Sequence, residues 1–368
     1  MTFDQRNYLS INTFSSALLS GHYLTLTLDI MRIPTLLSSG LLAVTVLLFG
    51  GCHPYFDEFI QDLGEDGPAT PEEVVINQAA LFPEGVEYDR LGRRFLVSSI
   101  TRGTIGAVDA HGHYEAFIED DDFVSTIGIE VDELRQRLLV CVSAPGAGDV
   151  AALGSYDLRT GERQFFVDLA AVADDGAPHF ANDVAVDRHG NAYVTDSFSP
   201  IVYKVDPQGE ASVLLRDEEF QISAPGAFGL NGIVYHPRGY LIAAFSETAT
   251  LYRVPLENPE HFAAIDTEEG AVTSPDGLYL DDNRTLVVVN NAGGGEDANV
   301  AKLSSRDHWE SAHLQATFAT GPVFPTTVAP RGRRFYVLYA HLNELFSGDT
   351  SRDEFRIVQV DFEKEPDS

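Results

Sequence analysis

The sequence predicts an all-β fold: a six-bladed β-propeller with four-stranded blades around a central channel. Two registers running in phase predict it. The first is a short motif that returns six times: Pro83-Glu84-Gly85-Val86, Ile127-Gly128-Ile129, Asn182-Asp183-Val184, Asn231-Gly232-Ile233, Asp276-Gly277-Leu278 and Phe324-Pro325-Thr326. Each copy leads through a polar or Gly-containing turn into an apolar run, from Arg94-Phe95-Leu96-Val97 in the first unit to Phe335-Tyr336-Val337 in the last. With Glu84, Ile127, Asn182, Asn231, Asp276 and Phe324 taken as equivalent, the steps are 43, 55, 49, 45 and 48 residues. The second register is a strand ending in a turn, at Asp109, Asp157, Asp206, Pro255, Ser304 and Asp361, with steps of 48, 49, 49, 49 and 57. The last step is stretched by a polar insertion from Asn343 to Glu354. A period in the forties, built of short strands without a helical stretch, is the pattern of a propeller with one blade per repeat. The propeller is expected to span residues 72–363.

The sixth unit leaves no room for an outermost strand after Asp361. The apolar stretch Val74-Val75-Ile76, ahead of the first unit, is expected to supply that strand and close the ring.

The N-terminus reads as an export signal, with the true start expected at Met31. From there the chain runs Met31-Arg32-Ile33-Pro34, an apolar stretch from Leu41 to Phe49, and Gly50-Gly51-Cys52. That order is a basic region, a short apolar region and small residues before a cleavage point. Gly-Gly-Cys looks like a bacterial lipobox, with Cys52 as the lipidated first mature residue. The apolar stretch falls short of the ~20 residues a membrane span needs, so membrane attachment is expected through the lipid alone. His53 after the cysteine suggests, by resemblance to sorted lipoproteins, the outer membrane or periplasm of a Gram-negative cell. Residues 53–71 form an acidic tether, and 364–368 a short tail.

The 24 basic and 56 acidic residues give a formal charge of −32, and only three lysines occur. Phosphate contacts need clustered Lys and Arg, so the composition argues against nucleic acid as a partner. A solvated acidic surface accounts for the charge, and it would also raise the local concentration of cations. Cys141, within Leu138-Leu139-Val140-Cys141-Val142, reads as a buried strand thiol. No Gly-x-Ser-x-Gly elbow occurs, and Gly293-Gly294-Gly295 opens no helix, so neither a serine hydrolase nor a nucleotide cradle is indicated.

In a propeller the innermost strands line the channel, so the six equivalent positions form a ring around the axis. Two carboxylates (Glu84, Asp276) and two carboxamides (Asn182, Asn231) converge there, with Ile127 and Phe324 supplying apolar surface. Oxygen donors with two formal negative charges suit a hard divalent cation. Ca²⁺ is preferred, and another divalent cation remains compatible, because Ca²⁺ tolerates irregular geometry and accepts amide carbonyls. A ring without His or Cys argues against zinc. Taken singly, each Asn-Gly or Asp-Gly pair reads as a turn; it is their shared phase that makes a site.

The set Pro-Glu-Gly, Asn-Asp, Asn-Gly and Asp-Gly on successive blades resembles the regucalcin/gluconolactonase superfamily, and also the diisopropylfluorophosphatase-like phosphotriesterases. The resemblance covers the whole propeller. It implies a catalytic divalent ion, usually Ca²⁺, held by Glu84, Asn231 and Asp276, with Asn182 ligating directly or contacting bound water and substrate. It implies hydrolysis of lactones or esters of a small-molecule substrate. Sugar-lactonase members carry an Arg two residues before the Asn-Asp pair, where this chain has Phe180. An aromatic wall thus replaces a cationic clamp, which favours a less polar substrate than a free sugar lactone.

On that basis the ion is expected to polarise the carbonyl, with Asp276 as general base, or as nucleophile on phosphoesters. The second strand of each blade returns to the face of the ring, which nominates Asp196 and His341, with His179 in the adjacent loop, as substrate contacts beside Phe180, Ile127 and Phe324. The other reading is a non-catalytic propeller lipoprotein that binds a ligand or partner around a structural Ca²⁺.

Overall fold

The computed structural model describes residues 71–146 and 148–363. The export signal, Met31, the lipidation site Cys52, the tether up to residue 70 and the tail 364–368 lie outside the described residues. Six antiparallel sheets surround the channel as the blades of a propeller. Their innermost strands are Val86–Asp89, Ser125–Asp132, Ala181–Val186, Leu230–His236, Pro275–Asp282 and Pro325–Arg331. The fifth blade has an additional outer strand, Asp266–Thr267, which pairs parallel with Ser311–Ala319.

Closure follows the expected route. Glu73–Asn77 pairs antiparallel with Glu354–Val360, so the first strand of the described chain is the outermost strand of the last blade. Alternate residues of that strand, Val74 and Ile76, are buried, as a period-two pattern requires. Across this seam Phe82 packs edge-on against Phe355 at 5.3 Å and Phe95 against Tyr336 at 5.4 Å. Each large apolar side chain buried there contributes roughly 1.5–3 kcal/mol. Joining the first and last described strands in one blade leaves no unpaired seam between first and last units.

Two short helices were not anticipated. Leu169–Ala173 starts at Asp168, whose carboxylate accepts the Ala171 N–H at 3.0 Å. Leu342–Phe346 occupies the polar insertion of the sixth unit. Five residues each, they are too short to leave a periodic signature. Cys141 is buried in its strand as a free thiol. No helix among the described residues is long and apolar enough to cross a membrane.

Candidate active site

The innermost strands bend where the repeated motif falls. In five blades the pairing with the second strand shifts register there, between Thr126 and Ile129, Ala181 and Val184, Leu230 and Ile233, Pro275 and Leu278, and Pro325 and Val328. A bulge breaks the in–out alternation and re-aims the side chain it contains. The glycine after the ring residue has a steric reason. A Cβ on Gly232 would stand 2.1 Å from the Asp276 carbonyl oxygen, and one on Gly277 would stand 2.7 Å from that of Thr326. At Gly232 and Gly277 the neighbouring inner strand approaches too closely for a side chain. Asp183 takes the step in the third blade, where its Oδ2 accepts the N–H of Ile233 on the next inner strand at 3.1 Å.

The six ring positions line one cavity of about 1350 Å³. Glu84, Asn182, Asn231 and Asp276 are all buried in its floor. A second set of side chains orients them, and sequence reading did not assign these roles. Asn182 Nδ2 donates to Ser197 Oγ at 2.8 Å, and Asn231 Nδ2 donates to Ser246 Oγ at 3.2 Å. The two hydroxyls donate onward to the carbonyls of Leu230 and Pro275. Each serine therefore accepts from the amide, which turns the amide oxygen the other way. Asn291 Nδ2 donates to Asp276 Oδ2 at 2.8 Å. In the first blade Ser98 Oγ instead accepts the backbone N–H of Glu84 and of Gly85. Ser197, Ser246 and Asn291 each follow their ring residue by 15 positions, a signal present in the sequence.

This arrangement leaves Glu84 Oε2 and Asn182 Oδ1 buried without any hydrogen-bond donor. An unpaired buried acceptor costs free energy, so two on residues lining one cavity need a counterpart. Burial holds the Glu84 carboxyl well above the usual carboxylate range, and the charges of Asp276 and Asp183 push it further. Asp276 is pushed up to about 7, chiefly by burial, with hydrogen bonds from Asn291 and Asn231 opposing. Glu84, Asn182, Asn231 and Asp276 are the residues that could hold a hard divalent cation. Among the described residues no group of three or more His, Cys, Asp or Glu is placed to hold a metal ion, and the ring itself offers two carboxylates with two amides.

The other nominated residues divide. Phe180, Ile127 and Phe324 line the cavity, with Phe324 in a left-handed backbone conformation at φ +47°. His179 and Asp196 are buried behind Phe180 and are not among the lining residues. His179 Nδ1 meets Asp196 Oδ2 at 2.7 Å and its Nε2 meets Asp175 Oδ1 at 3.0 Å, so both ring nitrogens are engaged by carboxylates. Asp196 Oδ1 accepts the backbone N–H groups of Phe180, Phe198 and Ser199, and its Oδ2 accepts from Tyr203 Oη. His341 stands at the start of Leu342–Phe346, 3.6 Å from Glu344, and burial pushes its imidazole down to about 4. Its neighbour Leu342, rather than His341, faces the cavity.

Residues 82–337 match the model of the SMP-30/Gluconolactonase/LRE-like region family, and the chain belongs to that family. No curated protein matches the chain in sequence. Among solved structures it is similar to the major Malassezia sympodialis allergen Mala s 1, at 17% identity and a TM-score of 0.66, covering 81% of this chain and 99% of that one. It is also similar to the Xanthomonas campestris gluconolactonase XC5397, at 16% identity and a TM-score of 0.53, over 78% of this chain and 88% of that one. Virginiamycin B lyase of Staphylococcus aureus aligns at 7% identity and a TM-score of 0.51, over 78% and 98%. Identities this low carry the fold alone; what the site does must come from its own residues.

Proposed function

We propose that this protein is a divalent-cation-dependent hydrolase of lactones or related esters, with Ca²⁺ as the favoured ion. The observation that carries the reading is the pair of donorless buried oxygens, Glu84 Oε2 and Asn182 Oδ1, in the same cavity floor as Asp276. Membership of a family whose description names gluconolactonase supports the reaction class. Two carboxylates and two carboxamides, without sulfur or imidazole, match the oxygen preference of Ca²⁺.

When bound, the ion supplies Lewis-acid polarisation of the carbonyl and charge for the developing oxyanion. The chain supplies the rest. Glu84, Asn182 and Asn231 would hold the ion, with Ser197 and Ser246 fixing the two amides. Asp276 accepts the proton of the attacking water at Oδ2, the oxygen that Asn291 orients, and returns it to the departing alkoxide oxygen as the acyl C–O bond breaks. Ile127, Phe180 and Phe324 exclude bulk water around the reacting carbonyl, which strengthens every charge interaction there.

Asp276→Asn tests the assignment. It preserves shape while removing the base, so kcat is expected to fall by about 10²- to 10⁴-fold with the fold intact. Unchanged turnover would remove Asp276 from the mechanism. Export and lipid attachment at Cys52 are proposed on the lipobox-like Gly50-Gly51-Cys52 alone. Mass spectrometry of the mature N-terminus would show a lipidated cysteine if that is right and an unmodified chain if it is not.

A further inference from the structure

Beside the ring stands a wall of three phenylalanines drawn from separate segments. Phe180 precedes Asn182 by two residues, Phe228 precedes Asn231 by three, and Phe198 follows the second strand of the third blade. Their ring centroids lie 5.0, 5.4 and 5.5 Å apart, so each ring touches both others in tilted or edge-on contact. Two of them are fixed by one atom: Asp196 Oδ1 accepts the backbone N–H of Phe180 at 2.9 Å and of Phe198 at 3.0 Å. The wall is thus organised before anything binds. It runs from Phe180, 4% exposed beside the floor, to Phe228, 36% exposed at the mouth. On the cavity wall formed by Phe324, Phe346 stands 57% exposed, its ring 5.9 Å from that of Phe324. Aromatic surface left open on both walls of a cavity is surface that an apolar group would cover favourably.

The charges of the cavity narrow the choice. Glu84, Asp175, Asp217, Glu218 and Asp276 are lining carboxylates, and Arg216 is the one Lys or Arg among the described lining residues. Its guanidinium is already committed to Asp175 Oδ2 at 2.7 Å and to the Ala173 carbonyl at 3.0 Å. An anionic substituent would find no unpaired cation. Sugar hydroxyls would find no hydrogen-bonding side chain on the phenylalanine wall.

We propose that Phe180, Phe198 and Phe228 form a subsite for an uncharged alkyl or aryl substituent, which makes apolar-substituted lactones and esters the substrate class. This rests on the hydrolase reading for the reaction, and on the wall alone for the recognition. The test is a series of γ-butyrolactones carrying hydrogen, methyl, butyl, hexyl or phenyl at the ring carbon next to oxygen, assayed with the full protein and Ca²⁺. The expected result is a gain in kcat/KM of about fourfold per buried methylene. In Phe198→Ala and Phe228→Ala the hexyl-to-unsubstituted ratio should fall by about tenfold or more. A flat series, or a ratio unchanged in both variants, overturns the proposal. A binding arm uses cyclopentanones with the same substituents, which cannot be hydrolysed, measured by calorimetry. Affinity that rises with chain length and falls in both variants upholds the subsite even if no lactone turns over, in which case the hydrolase reading alone fails. Affinity indifferent to chain length overturns the subsite whatever the turnover. Phe228 is a rim residue, so its truncation tests the wall without opening the packed interior.

Discussion

Asn291 Nδ2 donates to Asp276 Oδ2 at 2.8 Å, so one oxygen of the ring carboxylate is fixed by a neighbouring strand end before any ion or substrate arrives. Asn291 is itself held, its Oδ1 accepting from Ser274 Oγ at 2.9 Å and from the Gly293 N–H at 2.9 Å. The Asp276 Oδ2 is therefore kept in a set direction. Asn291→Ala frees that direction without removing a charge. Outer partners of this kind are worth about 10- to 100-fold in metal affinity or activity. Steady-state kinetics and a calorimetric Ca²⁺ titration should both register the loss, and wild-type values in both would show that Asn291 does not position the base.

The metal-free protein should lose stability as pH rises. Burial pushes Asp276 and Asp183 up to about 7 and Glu87 up to about 8, and holds Glu84 and Glu130 well above the usual range. These groups are raised above their unfolded values, so between roughly pH 5 and 8 the folded state binds more protons than the unfolded chain. Stability contributed by the protonated forms is complete below the unfolded values and is lost as pH passes through the folded ones. On the proposed cation-dependent reading, Ca²⁺ would compensate the charge of the ring carboxylates in place of the protons. In chelator the thermal midpoint should decline from pH 5 to 8, and added Ca²⁺ should recover most at the alkaline end. A midpoint rising with pH in chelator would contradict this.

Asp196 serves the site from behind. Its two buried oxygens accept three backbone N–H groups, the Tyr203 hydroxyl and the His179 ring. Asp196→Ala leaves several buried donors unpaired, each costing about 1–3 kcal/mol. Denaturant unfolding should report a loss of at least about 3 kcal/mol, and Asp196→Asn, which keeps an acceptor, a smaller one. Wild-type stability in the alanine variant would remove Asp196 as the organiser of the aromatic wall.

The propeller and its ring were legible because the inner-strand motif returns at a fixed phase in every blade, and four of its six copies carry an oxygen-bearing side chain there. The closing strand was legible too, since Val74-Val75-Ile76 is an apolar stretch ahead of the first unit and the last unit lacked a strand. The holders Ser197, Ser246 and Asn291 repeat at 15 residues but belong to common polar types, and only the hydrogen bonds reveal their task. Phe198 and Phe228 share no register, because loops from different strands bring them to Phe180. His179 shows the limit most clearly. A histidine in the loop leading to a ring residue reads as a substrate contact, while its position between Asp175 and Asp196 depends on burial that no local pattern encodes.

The central claim, a cation-dependent hydrolase built on Glu84, Asn182, Asn231 and Asp276, is tested most directly by assaying a lactone and aryl-ester panel with Ca²⁺ and again with excess chelator. The account predicts turnover that chelator abolishes and restored Ca²⁺ returns. Turnover indifferent to chelator would contradict the role of the ion. No turnover at all with Ca²⁺ bound would contradict the hydrolase and leave a ligand-binding propeller.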